Sequence, residues 1–263
     1  MTNIKESVLG VSKKEDIVYL TLNRPQVLNA LSSELLLALS NELDRIKRDS
    51  AVKGIFIIGS GDKAFSAGAD IEFLNSASPI KVRELAELAI SVNSQIENLG
   101  KISIALINGF ALGGGLELAE SCMLRIAVSS AKLGHPEVRI GAVAGWGGTT
   151  RLPRLIGKGR STELLLTGKM ISAEKALEMG LVNLVVDNDK LQSEGEQLMH
   201  EIFNNAPISV NFTWEAIHRG LNLPLEESAK LGADYFGLVA STEDFKEGTG
   251  AFLNKKKPSY KGR

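Results

Sequence analysis

The sequence predicts an α/β fold in which helices cover chain-spanning sheets. Three short apolar segments, at 17–22, 54–59 and 102–107, are typical of buried strands. Longer segments with apolar residues at helical spacing separate them along the chain. Strands that alternate with helices in this way favour an α/β architecture over an all-α or all-β one.

The first elements follow from local patterns. Ile17–Leu22 is strand-like and ends at the turn residues Asn23-Arg24-Pro25. After Ser32-Ser33, apolar residues recur at helical spacing with charged residues between them, which predicts an amphipathic helix. The remaining predicted elements of this part are a buried strand at 54–59, a long helix at about 79–99, and strands at 102–107 and 124–128.

The pattern changes after Ser172. One more strand is predicted at 181–186, and only helical patterns follow, at about 189–204, 207–219, 225–239 and 242–253. We therefore predict a core over residues 1–200 and a helical region over residues 201–263. Ser241-Thr-Glu-Asp244 predicts an N-cap box for the last helix, and Lys255-Lys256-Lys257-Pro258 a solvated tail.

Composition is that of an ordinary globular protein. The 263 residues are 44% hydrophobic and 23% charged, and the formal net charge of -1 gives no reason to expect nucleic acid as a partner. Residues 1–6 build no apolar signal core and no apolar run approaches a membrane span, so we expect a cytoplasmic protein that does not bind membranes. The single cysteine, Cys122, is expected to be a buried small hydrophobe.

Several common catalytic motifs are missing from the sequence. His135, His200 and His218 lie in different segments without a partner at ligand spacing, so we expect no metal site. The chain has no Gly-x-Ser-x-Gly elbow, no phosphate-binding Gly-x-x-x-x-Gly-Lys-Ser/Thr loop and no Gly-x-Gly-x-x-Gly after a strand. Serine hydrolase, P-loop and Rossmann functions therefore lose their usual support.

Two glycine-containing loops are candidate donors of backbone N–H groups to a negatively charged oxygen. Residues 108–119 follow a strand, place Gly113–Gly115 together and continue with helix formers. Without side chains there, a substrate carbonyl can approach the backbone at a helix N-terminus. The loop at 63–71 follows another strand and is a second candidate. Each loop alone also fits a tight turn whose glycines only permit packing.

Two glutamates are candidate acid-base groups. Glu117 lies one helical turn after the glycines, between Leu116 and Leu118, and Glu137 follows Pro136 in a Gly-His-Pro-Glu turn. Neighbouring buried carboxylates can hold one proton between them and work as acid and base. A single glutamate is more often a solvated surface charge. His135, beside Glu137, is a candidate third polar group of the site, but a lone histidine in a turn is more often structural.

Four motifs occur together in one order. They are Ala67-Gly-Ala-Asp70, Asn108-Gly-x-Ala-Leu-Gly-Gly-Gly-x-Glu-Leu-Ala119, Gly134-x-Pro-Glu-Val138 and Gly147-Gly-Thr-x-Arg-Leu152. This set resembles the signature of the crotonase, or enoyl-CoA hydratase/isomerase, family, and the resemblance extends from Leu22 to Pro258. It implies a crotonase spiral of ββα units with a C-terminal helical trimerisation region, assembled as a homotrimer or homohexamer.

The resemblance also implies roles for individual residues. Ala69 and Gly114 match the two backbone N–H donors that hold the thioester oxygen. Glu117 and Glu137 match the two hydratase carboxylates, of which Glu117 positions and deprotonates water toward C3 and Glu137 manages the proton delivered to C2. Because isomerases of the family keep only the second carboxylate, both together imply an enoyl-CoA hydratase, a hydro-lyase that reversibly converts a 2-enoyl-CoA to a 3-hydroxyacyl-CoA.

The same resemblance implies how the substrate is bound. Leu116 and Trp146 lie beside the acyl pocket, and coenzyme A is part of the substrate, so no separate cofactor is implied. The positions that match coenzyme A contacts are Ala67, Gly68, Asp70, Ile71, Glu72, Phe252 and Lys255. The last two reach a coenzyme A bound in a neighbouring or adjoining site.

Three features depart from the commonest hydratase pattern. Glu72 stands where lysine is often found, Leu116 where cysteine is frequent, and Val143-Ala-Gly-Trp146 replaces a proline-glycine-small sequence beside the acyl pocket. The acyl group is therefore left open, and other activities of the family on acyl-CoA are alternatives: a double-bond isomerase, a cyclic dienoyl-CoA hydratase or a hydrolase. A non-catalytic RNA-binding relative and an assembly scaffold are the remaining hypotheses.

Overall fold

A computed structural model describes residues 7–263, so the prediction about residues 1–6 falls outside the described part. The strands in that range are β1 (Leu9–Lys14), β2 (Ile17–Leu22), β3 (Gly54–Gly59), β4 (Ala64–Ser66), β5 (Ile102–Ile107), β6 (Phe110–Leu112), β7 (Leu124–Val128), β8 (Lys132–Gly134), β9 (Met170–Ser172) and β10 (Leu184–Val186).

The helices of the same range alternate with these strands and then continue alone. They are α1 (Ser33–Arg48), α2 (Ile71–Ser76), α3 (Pro79–Glu97), α4 (Gly114–Ser121), α5 (Gly148–Ile156), α6 (Lys158–Thr167), α7 (Ala173–Met179), α8 (Leu191–Phe203), α9 (Pro207–Gly220), α10 (Leu225–Val239) and α11 (Glu243–Leu253). Short 3-10 helices lie at Pro25–Val27, Glu137–Ile140 and Asn188–Lys190.

The chain divides into two compact units, one ending at Gly195 and one spanning Glu196–Arg263. The first unit contains two sheets. In the larger sheet the strand order is β1-β2-β3-β5-β7-β10, antiparallel only between β1 and β2. In the smaller sheet the order is β4-β6-β8-β9, where β4, β6 and β8 are parallel and β9 is antiparallel to β8.

Each ββα repeat supplies one strand to each sheet. The consecutive pairs β3 and β4, β5 and β6, and β7 and β8 place their first strand in the larger sheet and their second in the smaller. A helix follows each pair, and the predicted α/β class is confirmed. Because β4, β6 and β8 are parallel neighbours, the segments that follow them lie at the same edge of the smaller sheet.

The apolar strands lie where the sequence predicts them. The strands predicted at 17–22, 54–59, 102–107 and 124–128 are confirmed with the same bounds. The strand predicted at 181–186 is shorter and begins at Leu184. Leu181 and Val182 do not pair with β7, because their N–H groups donate to Ala176 O in the middle of α7.

The helix predicted after Ser32-Ser33 is α1, and it buries Leu35, Leu36, Leu39, Leu43 and Ile46. Both long helices of the first unit, α1 and α3, begin at serine caps. Ser32 accepts a hydrogen bond from the Leu35 N–H at the start of α1, and Ser78 accepts one from the Lys81 N–H at the start of α3. Cys122 is buried, as predicted, and burial raises the pKa of its thiol to about 12. Every helix in the described part of the chain is too short or too polar to span a bilayer.

The second unit is helical. Its helices α9 and α10 pack together, and Phe212 stacks on Tyr235 with ring centroids 4.8 Å apart. The predicted N-cap box is wrong in detail, because Thr242 caps α11 by accepting a bond from the Phe245 N–H at 3.1 Å. The Asp244 carboxylate instead accepts 2.7 Å bonds from backbone N–H groups of the C-terminal segment, which holds that segment against α11.

Candidate active site

The candidate site lies where three parallel strands of the smaller sheet end. Ala67–Asp70 follows β4, Gly113 and Gly114 follow β6, and His135–Glu137 follows β8. The Gly113 N–H donates to Gly134 O at 2.9 Å, which joins the second and third segments. The fold thus brings together four predicted site residues, Ala69, Gly114, Glu117 and Glu137.

The two predicted amide donors lie on adjoining loops. A Cβ added to Gly68 would lie 3.2 Å from the Gly114 nitrogen, so the chain just before Ala69 packs against the start of α4. Gly113 has a φ of 50°, which favours glycine and lets the chain turn sharply into the helix. Within residues 7–263, the N–H groups of Ala69 and Gly114 donate to no protein acceptor. Both can therefore hold an oxygen of a ligand, next to the positive end of α4.

Glu117 is buried in α4 and is held through one of its two oxygens. Its Oε1 accepts hydrogen bonds from the Trp146 N–H at 2.8 Å and the Gly148 N–H at 2.7 Å. Burial raises the pKa of this carboxyl to about 7, and the bond from Gly148 opposes the rise only in part. Glu117 can therefore take up and release a proton close to neutral pH.

The loop that holds Glu117 is itself fixed by α3. Trp146 O accepts hydrogen bonds from Asn93 Nδ2 at 3.1 Å and from Arg151 Nη1 at 3.2 Å. Arg151 also forms a two-point ion pair with Glu97, at 2.6 and 2.8 Å. Because Asn93 and Glu97 lie one turn apart on α3, this helix sets the position of Trp146 and, through its N–H, that of Glu117.

Glu137 lies at the start of the 3-10 helix that follows β8. Its side chain is 14% exposed, and among the described residues neither of its oxygens has a hydrogen-bond partner. The carboxylate faces the start of α4, since a Cβ added to Gly113 would lie 3.1 Å from Glu137 Oε1. Glu137 is therefore available to a ligand that lies against the two amide donors.

His135 and Glu120 form a buried ion pair beside Glu137. His135 Nε2 lies 2.9 Å from Glu120 Oε1, and His135 Nδ1 lies 3.5 Å from Glu137 Oε1. Burial lowers the pKa of His135, but the two carboxylates outweigh it and raise the value to about 10, so the ring is a cation at neutral pH. Sequence reasoning missed Glu120, although its position three residues after Glu117 on one helix was a usable signal.

The predicted coenzyme A segment is partly committed to protein contacts. Asp70 caps α2 and forms a 2.9 Å ion pair with Arg24, so its carboxylate shapes the loop. Ala67 is half-buried, whereas Ile71 and Glu72 are exposed at the start of α2. The first turn of α2 is therefore the most exposed part of this segment.

The two residues predicted for the acyl pocket are both buried. Leu116 is 1% exposed and Trp146 is 8% exposed. The indole of Trp146 lies against the oxyanion loop, since a Cβ added to Gly114 would lie 2.5 Å from Trp146 Cε3 and Cζ3. Trp146 is thus in contact with the residue predicted to bind the thioester oxygen.

The other two predicted coenzyme A residues belong to the second unit. Phe252 lies near the end of α11 and is 84% exposed. Lys255 follows the helix and is also exposed. Both side chains are accessible to a ligand.

The enoyl-CoA hydratase/isomerase family model matches residues 12–263. The chain belongs to this family. It is 42% identical to the crotonyl-CoA hydratase of Syntrophomonas wolfei, over 95% of this chain and 96% of that protein. The short-chain-enoyl-CoA hydratase of Clostridium acetobutylicum is 40% identical, over 94% and 95% respectively. The crystal structure of enoyl-CoA hydratase from Bacillus anthracis matches with a TM-score of 0.93 and 38% identity, covering 97% of this chain and 100% of that one.

These similarities extend to the fold and the activity. The predicted crotonase fold, with its C-terminal helical region, is confirmed by the solved structure. The prediction that this member of the enoyl-CoA hydratase/isomerase family is an enoyl-CoA hydratase, and hence a hydro-lyase, is confirmed by the relatives. Its substrate is accordingly a coenzyme A thioester.

Proposed function

We propose that this hydratase adds water to a short-chain 2-enoyl-CoA, with Glu117 and Glu137 as its acid-base pair. The observation that carries the proposal is the convergence of two carboxylates and two unused amides, Ala69 and Gly114, at the start of α4. The names of the Syntrophomonas and Clostridium relatives, which specify crotonyl-CoA and short-chain enoyl-CoA, support a short acyl group.

In the proposed reaction, Glu117 takes a proton from water as the water oxygen bonds to C3. The C2=C3 π electrons move toward the thioester, and the negative charge on its oxygen is stabilised by the N–H groups of Ala69 and Gly114. Glu137 then gives its proton to C2, and the thioester carbonyl re-forms. The pair carries one proton in total, which returns from Glu117 to Glu137 before the next turnover. Dehydration follows the same steps in reverse.

The test is the pair of isosteric variants Glu117→Gln and Glu137→Gln. Each should lower kcat by about 10² or more with a modest effect on KM, as expected for lost acid-base catalysis. Dehydration of the 3-hydroxyacyl-CoA should fall in parallel. Glu87→Gln, at an exposed position on α3, is the control and should keep wild-type kinetics. Near wild-type hydration by either site variant would refute the assignment of that residue.

Product analysis separates hydration from other reactions of the family. We expect 3-hydroxyacyl-CoA as the product and loss of absorbance of the conjugated thioester. In a panel of short, medium, long and cyclic enoyl-CoA substrates, the short-chain member should have the highest kcat/KM. A double-bond-shifted enoyl-CoA as the main product would point to an isomerase instead.

We also propose that the chain forms a homotrimer or homohexamer. The support is the number of apolar side chains that the second unit exposes, since large exposed apolar patches are typical of interfaces. Examples are Phe236 at 69%, Leu238 at 54% and Leu253 at 81% exposed. Sedimentation equilibrium should give three or six times the mass of one chain, and a monomer at micromolar concentration would contradict the proposal.

A further inference from the structure

Glu120 and His135 form a buried ion pair that the proposed reaction does not use. Their side chains are 0% and 1% exposed, and Glu120 Oε1 lies 2.9 Å from His135 Nε2. Removing two charges from water is costly, and an apolar pair of similar size is often at least as stabilising. Stability alone therefore does not account for two charged side chains at this depth.

The second nitrogen of the imidazole faces Glu137. His135 Nδ1 is buried and has no hydrogen-bond partner among the described residues, and the same holds for both oxygens of Glu137. The two groups are 3.5 Å apart, which is longer than a normal hydrogen bond. A movement of roughly 0.5 Å by either side chain would bring them to bonding distance.

We propose that Glu120 and His135 are positioning residues for Glu137. Glu120 fixes the imidazole so that Nδ1 faces the Glu137 carboxylate. The charged ring then stabilises the negative charge on Glu137 after it gives its proton to C2, and before it takes one from C2 in dehydration. The inference rests on the role proposed above for Glu137.

Other cations near the pair are engaged elsewhere. Glu120 also interacts electrostatically with Arg125 on β7 and Arg151 on α5. The Arg125 guanidinium donates its hydrogen bonds to main-chain carbonyls, and Arg151 is paired with a carboxylate on α3. Among the described residues, His135 is the cation that forms an ion pair with Glu137.

Glu117 faces the same imidazole from a third side. Both groups border Gly148, since a Cβ added there would lie 2.8 Å from His135 Cε1 and 3.1 Å from Glu117 Oε1. The ring therefore lies among three carboxylates: it forms ion pairs with Glu120 and Glu137, and its charge also opposes the rise that burial causes in the pKa of Glu117. The two carboxylates of the proposed reaction differ in their distance from the ring, because among the described residues His135 forms an ion pair with Glu137 but not with Glu117.

The test begins with Glu120→Gln, which keeps the size of the side chain and an acceptor oxygen but removes the charge. We expect kcat with crotonyl-CoA to fall by about 10-fold while KM changes by less than about twofold. The control is Ser121→Ala, which removes a buried hydroxyl on the same helix that donates to Leu118 O. It should leave both constants unchanged.

Two further measurements distinguish positioning from a general structural effect. In the Glu137→Gln background, Glu120→Gln should cause no further loss of kcat, because Glu120 acts through Glu137. NMR of ¹⁵N-labelled histidine should show both ring nitrogens of His135 protonated at pH 7. The His135 signal is identified by its absence from the spectrum of the double variant Glu120→Gln, His135→Gln. This double variant should show the same kcat loss as Glu120→Gln alone.

Several results would overturn the proposal. One is a wild-type kcat in both Glu120→Gln and the double variant. Another is a kcat loss from Glu120→Gln that is as large in the Glu137→Gln background as in the wild-type background. A third is an NMR spectrum that shows a neutral His135 ring at pH 7. If Glu120→Gln does not fold, the double variant, which leaves no charge in the pair, provides the same comparison. Wild-type turnover by Glu137→Gln would refute the role of Glu137 itself and is measured independently of Glu120.

Discussion

The backbone N–H of Trp146 donates a 2.8 Å hydrogen bond to Oε1 of Glu117. Together with the Gly148 N–H at 2.7 Å, it holds one oxygen of a proposed catalytic carboxylate by main-chain donors alone. These donors are present whatever the side chains are. The position of Glu117 therefore depends on the backbone conformation of the loop that contains Trp146 and Gly148. A substitution that changes this conformation tests that dependence.

Gly148→Ala should disturb this loop. The new Cβ would lie 2.8 Å from His135 Cε1 and 3.1 Å from Glu117 Oε1, so the backbone at 148 must move away from the carboxylate. We expect kcat to fall by about 10-fold or more, because small displacements of catalytic groups are costly. Gly159→Ala in α6 is the matched control, since its Cβ would meet nothing within 4 Å. Equal kinetics for the two variants would contradict the geometry of the site.

Trp146→Ala should change the acyl preference. The indole lies against Gly114, and its removal opens space beside the proposed thioester site without removing the backbone N–H that binds Glu117. We expect the ratio of kcat/KM for longer or bulkier enoyl-CoA to that for crotonyl-CoA to rise by about 10-fold. The substrate panel measures this ratio. An unchanged ratio would indicate that Trp146 only fills the core.

The unfolding free energy of Glu117→Gln, compared with that of wild type, should increase as pH rises. Burial raises the pKa of Glu117 from 4.5 to about 7, so the folded protein binds this proton more tightly than the unfolded chain. Stability from this group is therefore present below pH 4.5 and is lost as pH rises through 7. The loss is on the order of 3 kcal/mol.

Urea unfolding at pH 5 and pH 8 measures this effect. The unfolding free energy of Glu117→Gln minus that of wild type should be larger at pH 8 than at pH 5. Ser121→Ala, a buried change on the same helix that removes no ionisable group, is the control and should show the same difference at both pH values. A Glu117→Gln difference that does not change with pH would contradict the raised pKa.

Lys255→Ala and Phe252→Ala should weaken binding of the nucleotide end of coenzyme A. We expect KM for the coenzyme A thioester to rise by about fivefold in each variant, the size of one exposed charge contact for Lys255 and of one aromatic contact for Phe252, and KM for a pantetheine thioester to stay constant. Lys257→Ala, at another exposed tail position, is the control. Single substitutions are preferable to deletion of the tail, because the backbone N–H groups of Lys261 and Gly262 donate to the Asp244 carboxylate and deletion would remove these bonds. Equal rises for both thioesters would refute the contact.

The sequence by itself determined the fold class, the apolar strands and the family. β2, β3, β5 and β7 are short strands of five or six mostly apolar residues, which are recognisable without any partner. The motifs around Gly114, Glu117 and Glu137 carried the family resemblance, because each motif is a local string of residues. Local information was sufficient for all of these features.

Only the tertiary structure decided how the site is held together. The strands of the smaller sheet have three residues each, too few for a periodic pattern, and they form because neighbouring strands supply their hydrogen bonds. The bonds from Trp146 and Gly148 to Glu117 span 29 and 31 positions, and the pair of Glu120 with His135 spans 15. Contacts at such separations depend on how the chain folds back on itself, which no local pattern encodes.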